Sequence, residues 1–178
     1  MNNRFIFNPF VYIAGFKSLI IGLVGLCLTS FLAYITGTHF NGFIHVEFAK
    51  DCCFWVYLLE NVIQWIAFSV VLYLAGLMLS KSKIRLIDVF GTILLSRIPL
   101  LIVPVFRLFP FFQSFVIFST TMYLLVGVYI VSFIWFVVLS FNAYKISCNL
   151  KNDKLLFSFF ACLVISEVLI KLVLYLTV

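Results

Sequence analysis

Charge is scarce in this 178-residue chain. Asp, Glu, Lys and Arg make up only 10% of it, against about 25% in an ordinary soluble domain. A small soluble globule exposes more surface than so few polar side chains could cover, which excludes a soluble fold and a disordered tail. Acidic residues number six and histidines two. Both histidines, His39 and His45, fall in one connection, so no histidine base lies inside the long apolar runs. H-E-x-x-H, G-x-S-x-G, G-x-x-x-x-G-K-[ST] and G-x-G-x-x-G are all missing. No nucleophile–base pair is visible, and the expectation is a protein without catalysis or cofactor. Five cysteines show no C-x-x-C or zinc spacing, so they define neither a disulfide framework nor a redox motif. The twelve Lys and Arg residues are dispersed rather than clustered, which argues against a nucleic-acid partner.

What the chain has instead is oil. Hydrophobic residues reach 65% and aromatic residues 19%, and mean hydropathy is +1.24. A membrane-crossing helix needs roughly 20 apolar residues. Five stretches qualify, at about 18–36, 54–79, 86–106, 119–147 and 154–176. The runs are continuous rather than alternating, which favours helices over strands. The expected fold is all-α, a single five-helix transmembrane domain over residues 18–178, preceded by an interfacial segment over residues 1–17 and embedded in a lipid bilayer.

The basic residues give that bundle an orientation. Arg4, Lys17, Lys81, Lys83, Arg85, Lys145, Lys151 and Lys154 fall on one side of the alternating spans, and Lys50 and Arg107 on the other. The asymmetry places the N-terminus in the cytoplasm and the C-terminus outside. Asn8-Pro9-Phe10 reads as a helix start, with Asn8 capping and Pro9 in the first helical position. Phe5, Phe7, Phe10 and Ile13 are expected in the headgroup region.

Four charged residues lie more than a helical turn from either end of the apolar runs: Glu60, Arg97, Glu167 and Lys171. Such groups are costly in hydrocarbon and need a reason. At ~1.5 Å per residue, Glu60, Arg97 and Glu167 each lie roughly 9–14 Å from the outer ends of their helices, and Lys171 lies shallower. Depth pairs Arg97 with Glu167, with Asn61 and Gln64 supplying further hydrogen bonds beside Glu60. The cluster reads either as a neutral polar network that fixes helix packing or as a substrate or proton site. Pro99 and Pro104 are expected to kink the third span. Gly25, Thr29, Ala33 and Gly37 form a small-residue stripe for close helix packing, within the chain or against a second copy.

The connection from Thr38 to Cys53 brings His39 and His45 near Glu47, Asp51, Cys52 and Cys53. These are metal-ligand types in a spacing that matches no zinc pattern. The alternative is a polar loop at headgroup level, anchored by Phe40, Phe43, Phe48 and Trp55.

Taken whole, the chain resembles the Yip family, the Ypt/Rab-GTPase-interacting five-span membrane proteins. The third span, from Gly91 through Ser96 and Arg97 to Pro99, is similar to the family's glycine-tyrosine-serine segment with its proline eight positions later. Asn8-Pro9-Phe10 with Ala14-Gly15 resembles the short bacterial branch. Thr92 stands where the family carries tyrosine, and the hydrophilic region tied to Rab-linked trafficking is absent. The resemblance implies a multi-pass protein of a bacterial cell membrane, a scaffold that organises membrane partners or bilayer shape. The competing expectation is a transporter or channel subunit using Glu60, Arg97, Glu167 and Lys171.

Overall fold

A computed structural model describes residues 8–49, 53–112, 120–150 and 153–177. A 3₁₀ turn, Pro9–Val11, leads into α1 (Phe16–Thr36). A two-stranded antiparallel hairpin follows, β1 (Thr38–Phe40) and β2 (Val46–Phe48), and then α2 (Phe54–Leu79). The next helical unit is broken into α3 (Leu86–Ser96), a 3₁₀ segment (Ile98–Leu101) and α4 (Ile102–Arg107). After another 3₁₀ turn, Pro110–Phe112, the long helices α5 (Thr120–Ser147) and α6 (Asp153–Thr177) complete the bundle. Five of these helical units are long and apolar enough to cross a membrane, which is compatible with an integral membrane protein. Arg4, Phe5, Phe7, Lys50, Asp51, Cys52 and Lys151 lie outside the described residues.

The broken unit is the axis of the bundle. Burial reaches 67% over its apolar window, against 28–39% in the other four. It packs on α1, α2 and α5, while α6 rests mainly on α2. Small residues make the closest crossing. A methyl group added at Gly22 would lie 2.9 Å from Leu95 N, and one added at Gly91 would lie 2.8 Å from Gly15 O. The close approach therefore uses Ser18, Gly22 and Gly91 together with the expected stripe. Of that stripe, Thr29, Ala33 and Gly37 are buried and Gly25 sits against Ile98. Across from α3, hydroxyl pairs Ser96–Ser140 and Thr92–Ser147, each at 2.9 Å, tie the axis to α5.

The break falls where proline removes amide donors. Arg97 ends α3, and Pro99 sits at the start of the 3₁₀ segment. Pro104 lies inside the short α4. At the N-terminus the structure corrects two expectations. Pro9 does begin a helical turn, but Asn8 makes no side-chain cap. Phe10 is a core residue, 1% exposed, and not a headgroup anchor; Ile13 packs against that core.

Candidate functional site

The connection between α1 and α2 is not a loop lying across the end of the bundle. Gly37, in the left-handed conformation at φ 62°, stops α1 and turns the chain back. The hairpin then descends between the helices, and Thr38, His39, Phe40, Gly42 and Phe43 are all buried. The Phe43 ring packs on Phe68 at 4.9 Å and on Phe136 at 5.4 Å between centroids. Phe68 lies ~21 Å along α2, so the hairpin tip reaches the middle of the bundle. Phe40 and Phe43 are therefore core plugs rather than interfacial anchors. Phe48, by contrast, stacks under Arg107 Cζ at 4.3 Å, and Trp55 is exposed.

A hairpin among apolar helices exposes backbone groups that no neighbouring strand completes, and each must find a partner away from water. Side chains supply them. Glu60 Oε2 accepts from Phe40 N at 3.0 Å, and Gln64 Nε2 donates to Phe40 O. Glu167 Oε2 accepts from Phe43 N at 2.7 Å, and Tyr129 OH donates to Phe43 O. Both backbone groups of both phenylalanines are thus satisfied, by residues from α2, α5 and α6. Toward the mouth, Tyr57 OH donates to Ala49 O at 3.1 Å and Arg107 Nη1 to Gly37 O at 3.4 Å.

His39 belongs to the same cradle. Its Nδ1 lies 2.7 Å from Glu60 Oε1, so this nitrogen carries the proton, and its ring stacks on Tyr57 at 4.2 Å. His45 is half exposed and 3.6 Å from Glu47. The two histidines therefore face different surroundings, and among the described residues no three metal-ligand side chains come together.

The expected pairing of Arg97 with Glu167 is overturned. Arg97 Nη2 donates to Asn61 Oδ1 at 3.1 Å and Gln64 Oε1 at 3.0 Å, while Glu167 serves the hairpin. The unmet backbone donor of Phe43 is what redirects the carboxylate. Asn61 is held in turn by donating to Tyr57 O at 3.0 Å. Lys171, its side chain 56% exposed, reaches Glu167 Oε1 only at 3.9 Å, a weak contact. Gly42 leaves room for that same carboxylate, since an added methyl would lie 2.9 Å from Glu167 Cδ.

Residue reading thus found Glu60, Asn61, Gln64, Arg97 and Glu167 but missed what they hold. Tyr57 and Tyr129 carry no such signal in the sequence, where Arg107 counts only toward the charge asymmetry. A usable signal was present: Asn41-Gly42 between Thr38-His39-Phe40 and Val46-Glu47-Phe48 is a hairpin pattern. No family model, curated protein or solved structure matches this chain.

Proposed function

We propose that this chain is a non-catalytic, Yip-type integral membrane protein that organises membrane partners or bilayer shape, and that it resides in a bacterial cell membrane. In this reading it crosses five times, with its N-terminus cytoplasmic and its C-terminus outside. One observation carries the proposal: the two carboxylates inside the apolar helices, Glu60 and Glu167, are engaged in holding the hairpin. Glu60, Gln64, Glu167 and Tyr129 hold Phe40 and Phe43, and Phe43 fills the middle of the bundle. A transporter needs such groups free to meet a substrate along a path. Orientation is supported by the gathering of Lys17, Lys81, Lys83, Arg85 and Lys145 at the end of the bundle opposite the hairpin.

Reconstitution tests the reading. Proteoliposomes containing the full chain are expected to leak protons, potassium and chloride no faster than empty vesicles. A saturable flux that disappears in Glu167→Gln, with the bundle still folded, would overturn it in favour of transport.

A further inference from the structure

The end of the bundle opposite the hairpin carries cations that no acidic side chain described in the chain neutralises. Lys17, Lys81, Lys83, Arg85 and Lys145 are all exposed there, and none of them forms an ion pair among the described residues. Asp88 is the one acidic residue at this end whose side chain is described, and it packs toward α1: a methyl group added at Gly15 would lie 3.2 Å from its Oδ1. Two of the cations belong to helix starts that touch. Lys17 is in the first turn of α1 and Arg85 directly precedes α3, and the two starts meet where Gly91 approaches Gly15 and Ser18. Lys17 also heads an apolar strip. Ile21, Val24 and Leu28 follow it at the spacing of a single helix face, and all three are exposed. From Lys17 to Leu28 the strip runs ~16 Å, close to one leaflet of a hydrocarbon core about 30 Å thick.

Resting on the reading of this bundle as embedded in a bilayer, we infer that the corner formed by Lys17 and Arg85 binds an anionic phospholipid. Its phosphate lies against the two cations, and an acyl chain lies along Ile21, Val24 and Leu28. Arg85 offers a planar fork of donors that matches phosphate oxygens, and Lys17 adds a compact point charge. Charge complementarity selects the headgroup, because a zwitterionic lipid brings its own cation to a corner that already has two. The strip selects a lipid over a soluble anion. Inorganic phosphate or an acidic peptide would meet the charges and leave the apolar face uncovered. The bound lipid clips α1 to the start of α3, at the far end of the bundle from the hairpin.

The test titrates the purified full chain, in mild detergent at low ionic strength, with phosphatidylglycerol or phosphatidylcholine and follows thermal unfolding. Phosphatidylglycerol is expected to stabilise saturably, and at ten times Kd the folded-to-unfolded ratio should increase about elevenfold. Phosphatidylcholine, potassium phosphate and polyglutamate should each fall well short of that. Lys17→Gln and Arg85→Gln, both at exposed positions, should each weaken the apparent affinity about fivefold, whereas Lys17→Arg should keep it. A readout on the unaltered protein is a phosphatidylglycerol with a photoactivatable acyl chain, which should crosslink to α1 between Ile21 and Leu28. Flotation of the chain with phosphatidylcholine vesicles checks the bilayer reading separately. Equal stabilisation by phosphatidylcholine, phosphate or polyglutamate, an unchanged affinity in the doubly substituted variant, or crosslinks confined to other helices would each overturn the proposal.

Discussion

Replacing Glu60 by leucine isolates the energetics of the cradle. The carboxylate accepts from two buried donors, Phe40 N at 3.0 Å and His39 Nδ1 at 2.7 Å. Leucine is similar in bulk but accepts neither. An orphaned buried donor costs about 1–3 kcal/mol, so two give about 2–6 kcal/mol, a large share of the about 5–15 kcal/mol that stabilises an ordinary fold. Glu60→Gln keeps one acceptor oxygen and should lose about half as much. His39→Phe placed in the Glu60→Leu background removes one orphan while leaving an aromatic ring to stack on Tyr57. That double variant should recover about 1–3 kcal/mol. Reversible unfolding by SDS titration from a mild-detergent micelle measures all four proteins. If Glu60→Leu fell within about 0.5 kcal/mol of the parent, or if the two changes were simply additive, the cradle would not stabilise the hairpin and the reasoning would fail.

Three further outcomes follow from the packing. Gly42→Ala forces a methyl group against the Glu167 carboxylate and should cost about 1–3 kcal/mol in the same titration, whereas Gly127→Ala, with nothing within 4 Å of the new atom, should be neutral; equal effects would refute the close contact. Burial pushes the Cys148 thiol, with Cys162 nearby, up to about 12, so the folded state holds this proton more tightly than the unfolded one. Its contribution to stability should be complete below about pH 9 and fade as pH rises toward 12. At pH 8 a water-soluble maleimide should label exposed Cys53 and spare Cys148, and comparable labelling of both would refute the burial.

The sequence and the structure agree where physics is local. Five apolar runs and a proline break at Pro99 can be read within a turn or two of chain. The burial of the hairpin among the helices could not be, because its partners are remote: Phe40 meets Glu60 across 20 positions and Phe43 meets Glu167 across 124. A count of depth along separate helices tells which charges can meet, not which backbone amide will claim them first. Gln64 shows the same limit from another side, since its two ends serve different masters, the amide nitrogen the hairpin and the oxygen Arg97.

The arrangement also imposes an order on assembly. The hairpin emerges from the ribosome after α1, yet the carboxylate that receives the Phe43 amide sits in α6, 124 residues later. Until α6 arrives, the nascent chain carries a buried turn with an unmet donor, so the early helices are held in a provisional state. Helix α6 thus acts as a latch on a segment synthesised more than a hundred residues before it.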